Sequence, residues 1–221
     1  MKKSTIFYGN THRETIERKI KSLLNEQKDF LSARTVNSPR AVGDAIENII
    51  VENFKPILGE LAGEYSSTFA RRAMADVAFT DKDGYYYVVD VKTHRLDTKF
   101  NMPNLTSVER LSRFYEEDTN YFSVLKVNYR TKGTGVNIEK VTFAPIEFFD
   151  WGCLTIGALG WGQIQIANAN VVKIVPKNSR KNWMLDLCDT VLEFYPKEIG
   201  KINERIERFQ EVRRFWEKKR D

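Results

Sequence analysis

The stretch that most constrains this chain is a pair of apolar runs, Ala75-Asp76-Val77-Ala78-Phe79-Thr80 and Tyr85 to Thr93, on either side of Asp81-Lys82-Asp83-Gly84. Two β-prone runs around a short Asp- and Gly-rich segment predict an antiparallel hairpin. A three-residue loop of Lys82, Asp83 and Gly84, with Gly84 in the left-handed conformation, is the common type I turn with a G1 bulge. Asp81 then pairs with Tyr85, and counting back sets Asp76 opposite Asp90. A two- or four-residue loop would slip the register by one and send Asp76 to the wrong face. Side chains alternate along a strand, so Asp90 and Lys92 share one face while Val91 points to the other. Charged residues that close the apolar run Tyr87-Val88-Val89 mark the point where a buried strand meets an open cleft. Two carboxylates directly across a ladder repel each other unless a cation lies between them.

Two aspartates and a lysine so placed suit phosphodiester hydrolysis. Asp76 and Asp90 would hold magnesium, which polarises a non-bridging phosphate oxygen and lowers the pKa of a bound water. The peptide oxygen of Val91 could add a ligand. Lys92 could orient the attacking water, lower its pKa or stabilise the pentacovalent charge, and its service as a neutral base stays open. Magnesium is the expected cofactor because zinc chemistry has little to stand on. The histidines are His12 and His94, and Cys153 and Cys188 belong to no CxxC or Cys/His cluster, so a metal would sit on oxygen. As a bare pattern, the Asp76/Asp90/Lys92 spacing fits an ordinary surface strand with an Asp–Lys pair equally well.

The rest of the chain frames this segment. Ile16, Ile20, Leu23, Leu24 and Phe30 recur at helical spacing. A second helix is expected to begin near Ser38-Pro39 and to carry Ala45, Ile46, Ile49, Ile50 and Phe54, with Pro56 disturbing its end. A short helix is expected over residues 106–117, strands over 121–129 and 136–144, and one or two more strands within 162–175. The stripe Ile199, Ile202, Ile206, Phe209, Val212 and Trp216 predicts a C-terminal helix, and packing on its own core is preferred to contact with a partner. Helices, a mixed sheet and helices again imply an α/β (α+β) fold with helices flanking the sheet. With 221 residues, 42% of them hydrophobic, one domain over 1–221 suffices, with a core over about 38–175 and a helical C-terminal region over about 178–221. No apolar run reaches the roughly 18 residues of a membrane span, and the start Met-Lys-Lys-Ser-Thr-Ile is unlike a signal peptide. No membrane partner is expected, and isolated cysteines suit a reducing cytosol. The net charge of +5 suits a polyanionic partner, although many such proteins bind no nucleic acid.

Several segments together resemble a known family. Val89-Asp90-Val91-Lys92-Thr93 followed by Met102-Pro103-Asn104-Leu105-Thr106-Ser107 is similar to the DVKT segment and P-N-I-x-S loop of type II restriction endonucleases of the PD-(D/E)XK superfamily, in the EcoRV/HincII/HpaI-like branch. Gln163-Ile164-Gln165-Ile166 resembles the Q-I-Q stretch of that branch, and Gly43-Asp44-Ala45-Ile46-Glu47 resembles its helix with an accessory glutamate. The similarity spans roughly residues 43–170. It implies a restriction-endonuclease-like core, with Asp76 and Asp90 as metal ligands, Lys92 as the catalytic lysine and Glu47 as an accessory acid. Where the family has Pro-Asp this chain has Ala75-Asp76, which removes no functional group. The resemblance further implies magnesium-dependent cleavage of double-stranded DNA at a short palindrome, a two-fold homodimer, and a prokaryotic, cytoplasmic role in restriction–modification. A repair or junction-resolving nuclease of the same fold is the alternative. A DNA-binding module without activity is another, but it would have no use for a complete Asp/Asp/Lys set.

DNA contacts are expected on two segments. The polar loop of His94, Arg95, Asp97, Lys99, Asn101 and Asn104 should open on the active face. By resemblance, Asn101, Met102, Asn104, Thr106 and Ser107 would border a groove, with Met102 as an apolar wedge. Pro103-Asn104 also reads as a plain turn and N-cap. Gln163 and Gln165 alternate with Ile164 and Ile166, and such amides can pair with two edge atoms of adenine or simply meet water. Asn168 is a further candidate, past a strand end or a bulge near Ile166. Lys99, Lys132, Lys177, Arg180 and Lys181 are candidates for phosphate contacts.

Overall fold

The structure, a computed structural model, describes residues 3–9, 11–28, 30–32, 34–66 and 75–220. In chain order the elements are α1 (Thr5–Tyr8), α2 (His12–Glu26), α3 (Pro39–Leu58), β1 (Ala62–Ser66), β2 (Val77–Asp81), β3 (Tyr86–Arg95), β4 (Asn104–Ser107), α4 (Val108–Phe114), β5 (Asn120–Lys132), β6 (Gly135–Pro145), β7 (Leu154–Gly157), β8 (Gln163–Ile166) and α5 (Arg180–Glu217).

A five-stranded mixed sheet runs β1-β2-β3-β5-β6, antiparallel except for the parallel pair β3/β5. Helices flank it, as the order of apolar patterns predicts. One face buries Phe79, Tyr87, Tyr121 and Phe143, and Phe54 of α3 sits on it, 6.0 Å from the rings of both Phe79 and Phe143. Helix α2 is pinned to β6 where Glu17 and Asn25 accept the Phe143 and Ile138 N–H groups. On the other face Tyr86 meets Phe114 of α4. A second sheet, β4-β8-β7, is antiparallel throughout.

The hairpin turn forms as its residues require. Gly84 has φ +83°, Asp81 N–H bonds Tyr85 O at 2.9 Å, and the ladder continues to Val77 opposite Val89. Asp81 is buried, and its carboxylate takes the Asp83 and Tyr85 N–H groups and the Tyr87 hydroxyl. Elsewhere the boundaries shift. Pro56 lies in the last turn of α3 without ending it, and the helix stops at Gly59. Thr106 and Ser107 belong to β4, so the helix after them begins at Val108, capped by the Ser107 hydroxyl. Strand β7 was not expected.

The largest correction concerns the C-terminal stripe. Helix α5 docks through Trp183, Leu187 and Val191, spaced four apart, and Trp183 donates its indole N–H to Phe149 O. Ile199, Ile202, Ile206, Phe209 and Trp216 do not pack on the core; they are exposed, because the helix runs on past the docking face. Among the described residues no helix is long and apolar enough to cross a membrane.

Candidate active site

Asp90 and Lys92 lie at the middle of β3. They share a face, as alternation requires. Lys92 Nζ donates to Asp90 Oδ1 at 2.8 Å, and Val91 points into the core. Asp76 stands just beyond the last ladder pair. Its N–H reaches Val89 O at 3.0 Å, and its Oδ2 accepts the Val91 N–H at 2.6 Å. A side-chain carboxylate thus takes the place that a backbone carbonyl of Ala75 would hold in a continued ladder. The hairpin opens at that point and leaves Asp76 and Asp90 at its mouth.

Glu47 arrives from α3. Gly43, one turn earlier, is what lets the helix come close: a Cβ there would lie 2.6 Å from Thr93 Oγ1 of β3. Glu47 is half-buried and shares a hydrogen bond with Asp76. Burial first, and then the neighbouring Asp76 charge and that bond, raise the Glu47 carboxyl to about 7. Asp90 is also raised to about 7, by burial above all. Lys92 pulls it down, and Asp76 and Glu47 push it up. Asp90 Oδ2 is buried without a hydrogen-bond partner.

These features fit a cation. An orphaned carboxylate oxygen, and acids raised by burial and then by one another's charge, both gain from a divalent ion. Asp76, Asp90 and the Val91 peptide oxygen are the groups that would hold it. Among the described residues no cluster of three or more His, Cys, Asp or Glu side chains is already disposed to hold a metal ion, so a backbone oxygen or a small shift would have to complete the set.

The raised carboxyls predict a pH-dependent stability. Between the unfolded carboxyl value near 4 and about 7, the folded protein keeps protons that the unfolded chain has released, so its stability falls as pH rises through that window. Asp90→Asn should therefore stabilise the metal-free protein at pH 8, on the order of 2 kcal/mol, and leave it unchanged near pH 4. Millimolar magnesium at pH 8 should raise the Tm of the parent protein but not of Asp90→Asn. Thermal unfolding at the two pH values checks both, and a parent Tm indifferent to magnesium would count against a metal site here.

The two segments expected to meet DNA are joined in the small sheet. Asn104 pairs with Gln165 and Ser107 with Gln163 across β4 and β8. Gln165 donates its amide to Asn104 Oδ1, in space that Gly157 leaves open: a Cβ there would lie 2.6 Å from Gln165 Oε1. The isoleucines Ile164 and Ile166 are fully buried, and the strand ends at Ile166. Past it, Ile166 and Ala169 N–H groups bond Pro103 O and Asn101 O, and the Asn168 carboxamide accepts Asn170 N–H. Met102 is partly exposed and Lys99 exposed. Exposed Phe100 stands beside Met102 and was not anticipated.

Other expectations need correction. His94 and Arg95 are not loop residues but the end of β3. His94 is buried with Nε2 on Asn170 Oδ1 at 2.8 Å, and Arg95 is tied to Asp97. Thr106 is buried within β4 and Ser107 is spent on its helix cap. Lys132, Lys177 and Lys181 are exposed, but Arg180 is locked against buried Glu147, 3.0 Å away. Lys126, level with Lys92 on β5, was missed. It is buried, bonds Asn128 Oδ1, and is lowered to about 8 by burial and by Lys140. A lone lysine in the apolar run Tyr121 to Val127 was the available signal. No family model and no curated protein matches this chain, so what the site does must be read from its own atoms.

Proposed function

We propose that the chain is a magnesium-dependent endonuclease of the PD-(D/E)XK type, acting on double-stranded DNA at a short palindrome as a type II restriction enzyme. The observation that carries this reading is the opened hairpin mouth. Asp76 leaves the ladder for the Val91 N–H, beside buried Asp90 with its free Oδ2 and Lys92 at 2.8 Å.

Magnesium held by Asp76, Asp90 and the Val91 peptide oxygen would supply Lewis-acid polarisation of the scissile phosphate. Lys92, about one quarter exposed, is aimed by Asp90 and presents its ammonium to the attacking water and to the charge that builds on phosphorus-bound oxygen. Glu47, raised to about 7 by burial and by the neighbouring Asp76, can take up or release a proton near neutral pH. The joined strands β4 and β8 present Gln163, Gln165 and Asn104 as a rigid polar strip, with Asn101, Met102, Phe100 and Asn168 on the adjoining loops. A strip fixed by backbone pairing positions amides for base edges better than a free loop would.

Plasmid digestion in magnesium tests the proposal. Discrete fragments are expected, and sequencing their ends gives the site and the cut. A smear, or a preference for branched DNA, would replace the restriction reading with a repair or junction-resolving one. No cleavage with either magnesium or manganese would end it.

A further inference from the structure

We infer that α5 is the dimer interface of this protein, an antiparallel coiled coil with α5 of a second copy. The apolar residues of the helix follow a seven-residue repeat. Its first positions are Leu185, Leu192, Ile199, Ile206 and Arg213. Its fourth positions are Cys188, Tyr195, Ile202, Phe209 and Trp216. The seven large apolar side chains of this seam other than Tyr195 are 48 to 71% exposed. The seam is distinct from the docking face: Leu192 lies about 140° around the helix from Leu187 at roughly 100° per residue. Except at Tyr195, whose hydroxyl donates to Trp161 O at 2.7 Å, its large apolar side chains are open over about 48 Å at 1.5 Å per residue. From Ile199 onward almost every residue is exposed, and a bare helix of that length is marginal in water. Exposed Trp161 widens the apolar surface beside Ile199 and Ile202.

The period selects a helical partner. Apolar residues every 3.5 positions drift around a straight 3.6-residue helix and stay in line only when two helices supercoil. Charge selects a second copy, and its direction. A two-fold axis between Gly200 and Lys201 sets first against fourth positions throughout. Ile199 meets Ile202, Tyr195 meets Ile206, Leu192 meets Phe209 and Leu185 meets Trp216 of the other chain. Glu198, only 9% exposed and held to Lys201 of its own helix at 2.6 Å, then borders the seam beside Arg205 of the other chain, twice per dimer. A parallel pair loses both features. It would set Arg213 against Arg213 inside the seam and Glu198 against Asn203. An antiparallel pair closes with two-fold symmetry, so it ends at two chains. The seam shares no residue with the carboxylate site, so dimerisation through α5 stands whether or not that site cleaves DNA.

Light scattering on the full chain should give twice the 25.7 kDa chain mass. Ile202→Asp with Ile206→Asp should yield a monomer whose near-ultraviolet circular dichroism matches the parent, since both positions lie off the core. Arg205→Glu should weaken the dimer about tenfold, and adding Glu198→Arg should restore most of the loss. A monomeric parent protein overturns the inference, as does a dimer indifferent to the double aspartate variant. A monomer that binds anionic phospholipid vesicles through this helix does so too. A dimer that cross-links readily through Cys188 under mild oxidation, with no rescue by the charge swap, is parallel and refutes the arrangement.

Discussion

Asp90→Asn and Lys92→Ala are each expected to abolish DNA cleavage, by three orders of magnitude or roughly more, with DNA affinity held within a few fold. Asn fills the space of Asp90 but gives up the charge, and with it a buried carboxylate oxygen that has no hydrogen-bond partner. Lys92→Ala removes the cation 2.8 Å from Asp90 and leaves a carboxyl that burial, and after it the Asp76 and Glu47 charges, drives further toward its protonated form. Each change therefore strikes the ion and the water together. Affinity should persist because most of it comes from phosphate contacts spread over the surface. Single-turnover cleavage and gel retardation on the same duplex separate the two effects. Turnover like that of the parent protein in either variant would remove the mechanism.

The second large effect is on stability. Arg180→Ala should cost about 3–5 kcal/mol, a Tm loss on the order of 10 °C, with DNA affinity unchanged. Glu147 is fully buried and takes Arg180 Nε at 3.0 Å and the Tyr115 hydroxyl at 2.7 Å. The guanidinium lies over the rings of Tyr115 and Tyr121, 4.2 and 4.4 Å from their centres. Without the cation, the carboxylate is left charged in an apolar surround. Replacing both partners, Arg180→Met with Glu147→Leu, should recover most of the loss, because an apolar pair of similar volume needs no solvation. If Arg180→Ala instead weakened DNA binding at constant Tm, the residue would return to the phosphate contacts that its charge first suggested.

The contrast between Asp90 and Arg180 shows what could be read along the chain. The hairpin is a local object. Gly84 fixes the loop, the loop fixes the register, and the register brings Asp76 and Asp90 to one end. The alternation of Gln163 and Gln165 with buried isoleucines is local in the same way. The helix of Gly43 and Glu47 is also local, though the reason for its glycine, the close pass over Thr93, lies in another strand. Arg180 gave no such hint. Its partner is 33 positions away, and an isolated arginine in a basic stretch looks the same whether it faces solvent or a buried glutamate. His94 and Thr106 misled for a related reason: polar residues near a loop read as exposed, yet both are buried in the packed chain, His94 against Asn170.

By itself the sequence determined the alternating faces, the turn and so the meeting of Asp76, Asp90 and Lys92, because φ preferences and a period of two act over a few residues. Only the tertiary structure decided that the Asp76 carboxylate would take the Val91 N–H, that Glu47 would arrive beside Asp76, and that most of the seam of α5 would stay bare. Those outcomes depend on where whole elements stop and which surfaces they cover, and burial of that kind is a property of the packed chain.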